Sequence, residues 1–258
     1  MSLIASERRN KLISIINTSG SVKVAEVAKL FGVSTETIRK DLRFLSEQGR
    51  VQKEFGGAVS LNELIETPLD TRSQENIEAK NRIALRAIEC IAGKNVIYID
   101  SGSTLLQLAH MMSIDSNLND RENMAIVTNS FLSVDRLNKK FKHLYFLGGE
   151  VNSSSLSTDG FWAKYALSTL NMDVAFLGTS GFQSHSGPCV KSFADADVKK
   201  TVLSNCNLKI VLADSSKFSS NAIIQYADWS DVDMLITDKN APEDAVAEIK
   251  KKTKVELV

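Results

Sequence analysis

The sequence predicts an α/β chain in two parts: an N-terminal winged helix-turn-helix and a C-terminal domain of βαβ units around a mostly parallel sheet. Three observations predict it. The first sixty residues carry three amphipathic helical patterns broken by glycine and then a short glycine-centred hairpin. From residue 96 onward, short apolar runs alternate with helical patterns, the signature of a parallel sheet covered on both faces. Charge is also uneven. The total is zero, yet residues 1–60 hold ten lysines and arginines against six acidic residues, so the rest is acidic. A basic head on an acidic body fits a nucleic-acid-binding domain joined to a larger partner.

The first helix is expected from Ser6 to Asn17, with Leu12, Ile13, Ile15 and Ile16 as its apolar stripe and Ser19-Gly20 as its stop. The second starts near Val22, carries Val24, Val27, Ala28 and Leu30-Phe31, and ends at Gly32. The third has a clear start. Ser34 can accept a hydrogen bond from a free N–H of the first turn, and Val33 and Ile38 stand at the two positions of a hydrophobic staple. Ile38, Leu42 and Leu45 recur at helical spacing and face inward, and Gly49 closes the helix. That leaves Thr35, Glu36, Arg39, Lys40 and Arg43 outward. In a helix-turn-helix the second helix enters the major groove and offers early side chains to base edges. Ser34, Thr35, Thr37 and Arg39 are the candidates at the head of that helix, Arg39 for its bidentate reach to guanine. Lys40 and Arg43 suit phosphates, which position without specifying. Arg50 to Val59 reads as two short strands, a wing from which Lys53 can reach phosphate. A plain three-helix bundle with a solvated basic face stays open at this point.

Ser60 to Thr71 is polar, contains Pro68 and reads as a linker, giving domains at 1–59 and 72–258. Arg72 to Ala92 is helical, with Ile77, Ile83, Ala84, Ala87, Ile88 and Ile91 on one side. Strands follow at 96–99, 124–127, 144–147, 174–177, 208–213, 232–237 and 255–258, with helices at 105–112, 131–137, 161–170, 194–203 and 242–250 between them. In such sheets ligands bind beyond the carboxyl ends of the strands. Five of those ends are polar and small: Asp100-Ser101-Gly102-Ser103-Thr104, Thr128-Asn129-Ser130, Gly148-Gly149-Glu150, Gly178-Thr179-Ser180-Gly181 and Asp214-Ser215-Ser216-Lys217. Ser101 to Thr104 would present free N–H groups and hydroxyls at the positive end of a helix, a phosphate site. Lys217 adds a compact cation, and Asp100 and Asn129 can hold hydroxyls. Each loop alone is more often a turn; five together suit a hydroxylated, anionic small molecule.

Other features exclude more than they assign. Hydrophobic residues make up 43% and charged residues 24%, the balance of an ordinary globular protein. Cys90, Cys189 and Cys206 form no CxxC pair and read as reduced thiols. His110, His143 and His185 have no metal-ligand spacing, so neither metal nor cofactor is expected. His185 is expected to be exposed, and Trp162 and Trp229 to be packing residues. No apolar run approaches the ~20 residues of a membrane span, and the N-terminus lacks the pattern of a secretory signal; the expected compartment is the cytoplasm.

The runs Val33-Ser34-Thr35-Glu36-Thr37-Ile38-Arg39-Lys40-Asp41-Leu42, Leu45, Gly49 and Phe55-Gly56-Gly57-Ala58 resemble the DNA-binding domain of the DeoR family of bacterial sugar-metabolism regulators. The segments IYIDSGST, VTNS, LGGEVN, VAFLGTSGF and LADSSKF resemble the successive signatures of that family's C-terminal domain. The resemblance covers nearly the whole chain. It implies a fold related to ribose-5-phosphate isomerase, operator DNA as one partner, a phosphorylated sugar or related effector as the other, and a homo-oligomer, dimer or tetramer. It differs at Gln52-Lys53-Glu54, where the family commonly has Arg before the paired glycines, and at Asp195 and Asp197, where the family often has Glu. The expected function is a ligand-controlled repressor with no catalytic residues. The competing reading is a sugar-phosphate isomerase with Asp100, Asp195 or Asp197 as base and Lys217 as cation; turnover of sugar phosphates separates the two.

Overall fold

The computed structural model describes residues 5–19, 21–54, 56–60, 69–118, 124–183, 185–220 and 222–258. The chain divides into two compact units, Met1–Thr71 and Arg72–Val258.

The first unit contains α1 (Ala5–Ser19), β1 (Ser21–Lys23), α2 (Val24–Phe31), α3 (Thr35–Glu47), β2 (Val51–Glu54) and β3 (Gly57–Ser60). Leu12, Ile16, Val27, Ile38, Leu42, Leu45 and Val51 form its core. The antiparallel order β1-β3-β2 makes the wing. The second helix was expected to begin near Val22. Instead Ser21–Lys23 is a strand, with Val22 opposite Ala58: pairing with the wing outweighs a helical pattern too short to hold on its own. The approach is close enough to need glycine, because a Cβ at Gly57 would lie 2.1 Å from the Val22 carbonyl oxygen.

The α4 helix (Leu69–Gln74) crosses the division between the units, and α5 (Ile77–Glu89) follows in the second. One helix was expected over 72–92; Asn76, in the left-handed conformation at φ 51°, divides it. Part of the expected linker, Leu69–Thr71, is helical, and 61–68 with Pro68 lies outside the described residues. Then follow β4 (Val96–Ile99), α6 (Ser103–Ile114), β5 (Ala125–Thr128), α7 (Phe131–Leu137) and β6 (His143–Phe146). A hairpin of β7 (Glu150–Asn152) and β8 (Ser157–Asp159) leads to α8 (Gly160–Ser168) and β9 (Met172–Leu177). The chain ends with β10 (Cys189–Val190), α9 (Phe193–Ser204), β11 (Cys206–Leu212), β12 (Ile224–Gln225), β13 (Met234–Thr237), α10 (Glu243–Lys250) and β14 (Lys254–Leu257). The two short pairings, β7 with β8 and β10 with β12, were not expected; both are too brief for a period-2 pattern to register.

Seven strands form one sheet in the order β14-β13-β11-β9-β4-β5-β6, every pairing parallel. Alternate residues face opposite sides. Tyr98, Ala175, Leu177, Val211 and Leu235 pack with Leu167, Val202 and Val246 of α8, α9 and α10. Ile97, Ile99, Val174, Phe176 and Ile210 pack with Ile83, Leu108 and Met112 of α5 and α6. From β4 the chain steps outward through β5 to β6, returns to β9 on the other side of β4, and steps out through β11 and β13 to β14. The order therefore reverses between β4 and β9. Trp229 is buried as expected, but Trp162 stands 69% exposed on α8, whose inner positions are filled by Ala163 and Leu167.

Candidate DNA interface and effector site

In the first unit, α3 buries Ile38, Asp41, Leu42 and Leu45 and leaves Thr35, Glu36, Arg39, Lys40 and Arg43 exposed. The Ser34 hydroxyl accepts from the Thr37 N–H at 3.1 Å and lies 2.9 Å from the Thr37 hydroxyl. These two groups therefore set the helix start, while Thr35 and Arg39 remain the freer ones. Arg39 has only an exposed contact to Glu36 at 3.5 Å, of little energetic weight. Lys53 is exposed on β2.

One contact beneath this face was not anticipated. The buried Asp41 carboxylate takes the Arg8 guanidinium on one oxygen at 2.6 Å and that of Arg9 on the other at 2.7 Å. Arg9 also lies 3.8 Å over the Phe44 ring. Asp41 thus ties α1 to α3 and fixes the angle at which α3 is presented. Its position on the buried stripe of α3, after Ile38 and before Leu42 and Leu45, was the available signal.

In the second unit, the reversal point brings the β4 and β9 ends together. Asp100 is fully buried; its Oδ2 accepts from the Gly178 N–H at 2.9 Å and from the Lys199 ammonium. A Cβ at Gly178 would lie 3.1 Å from Leu105 and 3.2 Å from the Ser101 carbonyl oxygen, so only glycine seats comfortably there. Ser101, Ser103 and Thr104 are buried beside it at the start of α6, with Gly102 as cap. The N–H groups of that first turn have no intrahelical acceptor.

Lys199 is the main residue that the sequence reading missed. It is 2% exposed and also lies 3.0 Å from Asp195 and 5.8 Å from the Tyr226 ring. The Tyr226 hydroxyl donates to the Gly178 carbonyl at 2.8 Å. Burial alone would discharge the ammonium, but Asp100 and Asp195 outweigh it and raise the pKa above the ordinary lysine value, so Lys199 stays charged. Burial drives the Tyr98 and Tyr226 phenols well above their usual range, and both stay neutral. The i,i+4 pair Asp195–Lys199 amid Ala196, Val198 and Val202 was the legible sign of a buried charge.

The other expected residues are placed as follows. Asn129 is buried and committed: it accepts from the Tyr98 hydroxyl at 3.3 Å and donates to the Thr158 carbonyl at 3.1 Å. Thr128 accepts from the Ser130 N–H at 3.1 Å. The Thr179 hydroxyl donates to the Cys189 carbonyl at 2.9 Å, and Ser180 and Gly181 pair with Cys189 through backbone groups. Gly148 and Gly149 leave the edge strand β6 for the hairpin, two strands from β4. Lys217 lies at the β11 end, on the other side of β9 from Asp100. Next to it, Asp214 is buried and accepts from the Ser216 hydroxyl at 2.6 Å and from the Asn76 amide at 3.0 Å. Burial pushes the Asp214 carboxyl up, but Lys217, Ser216 and Lys80 outweigh it, so its pKa lies below the ordinary value. Lys80, buried and lowered by that burial, donates to the carbonyls of Arg72 and Glu75 and stands 4.0 Å from Asp214. A cavity of about 270 Å³ is lined by residues including Phe182, His185, Phe218, Trp229 and Lys252; it borders the Gly181 and Lys217 segments but includes none of the expected effector residues. Among the described residues no cluster could hold a metal ion, and no helix is long and apolar enough to cross a membrane.

A basic helix-turn-helix joined to a parallel sheet with a polar reversal point defines a two-domain transcriptional regulator. The comparisons agree. Residues 8–64 match the DeoR-like helix-turn-helix domain and residues 75–239 the DeoR C-terminal sensor domain. A protein of Escherichia coli O157:H7 assigned as the aga operon transcriptional repressor is 30% identical over 95% of this chain and 91% of its own length. The glycerol-3-phosphate regulon repressor of Escherichia coli K12 is 29% identical over 92% of each. Ribose 5-phosphate isomerase A from Methanocaldococcus jannaschii matches 55% of each chain at 18% identity and a TM-score of 0.40. The chain belongs to the DeoR family and is a helix-turn-helix transcriptional regulator with a C-terminal sensor domain.

Proposed function

We propose that the protein represses a sugar or polyol utilisation operon in the cytoplasm and that a phosphorylated sugar or related metabolite, bound at the strand ends, changes its affinity for operator DNA. The domains are 1–59 for DNA, 60–71 as linker and 72–258 for effector and self-association. The observation that carries the effector reading is the reversal point. There the first turn of α6, with buried Ser101, Ser103 and Thr104, starts beside Gly178, and its free N–H groups suit a phosphate. Gly148, Gly149, Thr128 and Asn129 shape one flank, and Lys217 supplies charge on the other. Two relatives named as repressors, one of them of a glycerol-3-phosphate regulon, support the chemical class.

On DNA, Thr35, Thr37 and Arg39 read bases, Ser34 seats the helix start, and Lys40, Arg43 and Lys53 hold phosphates. The route from effector to head runs through Asp214. The α4–α5 turn is held there by Asn76 and Lys80, and Lys217 shares the same carboxylate's field. A phosphate drawn to Lys217 takes that cation from Asp214 and changes how tightly the carboxylate holds the turn. Couplings of this kind reach about 1–3 kcal/mol, roughly five- to 150-fold in affinity. Fluorescence anisotropy on DNA upstream of its own and neighbouring genes, with random competitor and a panel of sugar phosphates, tests the reading. Competitor-resistant binding altered by one compound is expected; binding no tighter than to random DNA, or turnover of a sugar phosphate, overturns it.

A further inference from the structure

The outer face of α8 and α9 carries exposed aromatic surface that the function described so far does not use. Phe161, Trp162 and Tyr165 of α8 are 70%, 69% and 61% exposed, and Phe193 at the start of α9 is 74% exposed. The α8 rings form one cluster: Phe161 is edge-on to Trp162 at 5.3 Å between ring centres and stacks on Tyr165 at 6.1 Å. The two helices pack together, and Lys164 reaches Asp197 at 2.8 Å across the seam. Lys164 lies on the aromatic side of α8, and Asp197 is one turn from Phe193 on the same face of α9. The patch is therefore continuous across both helices.

We infer that this α8–α9 face is the surface through which two copies of the chain associate. The area points to a macromolecular partner. Aromatic side chains offer about 150–250 Å² each. At these exposures the four rings present roughly 500–600 Å², the upper limit for a patch on a monomer, and most of the ~800 Å² that each side of a standard interface buries. The charge pattern points to a second copy. A two-fold interface must complement itself, and a face that carries a cation–anion pair among rings does so: the Lys164–Asp197 pair of one copy can lie antiparallel to that of the other, each ammonium beside both carboxylates, while the rings interdigitate. A dimer also suits the head, because one recognition helix per chain needs a second to fill two half-sites.

The placement gives this surface a regulatory meaning, which rests on the effector reading above. Along α9, Phe193 and Asp197 point outward, whereas Asp195 and Lys199, about half a helical circumference away, point inward to Asp100. The same helix thus borders the reversal point on one face and the second copy on the other.

Sedimentation velocity of the full chain from 0.5 to 20 µM, with tryptophan emission over the same range, tests the proposal. The wild type is expected to associate, and Trp162 emission to shift to the blue as it does, while buried Trp229 stays constant. Trp162→Glu with Phe193→Glu should raise the dissociation constant at least 100-fold with the thermal midpoint of the monomer unchanged. Tyr165→Ser, a milder change, should raise it at least fivefold. A wild type that stays monomeric overturns both this surface and the expectation of an oligomer. An oligomer unchanged in both variants overturns the surface alone, and assigns it to another occupant such as a different protein. Sugar-phosphate binding to the wild type, measured by calorimetry, separately tests the effector reading.

Discussion

Two buried carboxylates, Asp41 in the head and Asp100 in the sensor, sit in nearly opposite company. Asp41 is held by two arginines, so its cluster carries a net positive charge that lies against a DNA-facing helix. Asp100 shares one lysine with Asp195, so its cluster has one cation for two carboxylates, and it is fully buried, as are Tyr98 and Tyr226 nearby. The first fixes the orientation of a helix whose Thr35, Arg39, Lys40 and Arg43 are exposed. The second lies at the strand ends proposed to hold the effector, where positioning groups and proposed binding groups are neighbours. A substitution that separates stability from function should therefore be easy to find in the head and hard to find in the sensor.

The largest effect is expected from Lys199→Met. It leaves buried Asp100 and half-buried Asp195 without this cation, and breaking such a buried pair costs about 3–5 kcal/mol. Urea unfolding of the sensor transition reads the loss; adding Asp100→Asn should restore part of it, and no restoration would mean that Lys199 acts through packing alone. Asp41→Ala strands Arg8 and Arg9. Because Arg9 is partly solvated, the loss should fall nearer about 3 kcal/mol. It should remove operator binding while calorimetric binding of a sugar phosphate to the sensor survives; loss of both would break the comparison. Arg39→Ala should leave the melting curve unchanged, weaken operator binding by about 1–3 kcal/mol and relax base preference at one position. Equal loss on random DNA would make Arg39 a phosphate contact like Lys40.

The smallest effect concerns acid. The Asp214 carboxyl titrates below its ordinary value of 3.8 in the folded chain. Its contribution is therefore complete above that value and is lost as pH falls through the lower, folded pKa. Between pH 5 and 3, wild-type stability should fall more steeply than that of Asp214→Asn; parallel slopes would remove Asp214 from the network that holds the α4–α5 turn.

Much of this was legible in the sequence because burial imposes a period. The stripe of Leu12, Ile16, Ile38, Leu42 and Leu45 located the head. Apolar runs such as Val96–Ile99 and Val174–Leu177 located strands buried on both faces, and the polar residues after them marked the strand ends; which two ends meet at the reversal point came only with the strand order. What stayed hidden depends on contacts distant in sequence. Ser21–Lys23 becomes a strand only because Ala58 lies opposite, and Asn76 breaks a helix at a point where its amide meets Asp214. Lys199 looks like one lysine of a charged helix until the fold places Asp100 against it. Trp162 failed for another reason: aromaticity suggested burial, but on α8 it meets the edge of its neighbour Phe161 and stays exposed.

The central claim is that reading DNA and sensing effector are separable and joined by coupling. The most direct test is operator binding by Lys217→Ala, measured by anisotropy with and without the sugar phosphate that moves the wild type. Wild-type operator affinity and no response to the compound are expected. A variant that still responds, or one that no longer binds operator in its absence, would contradict the claim.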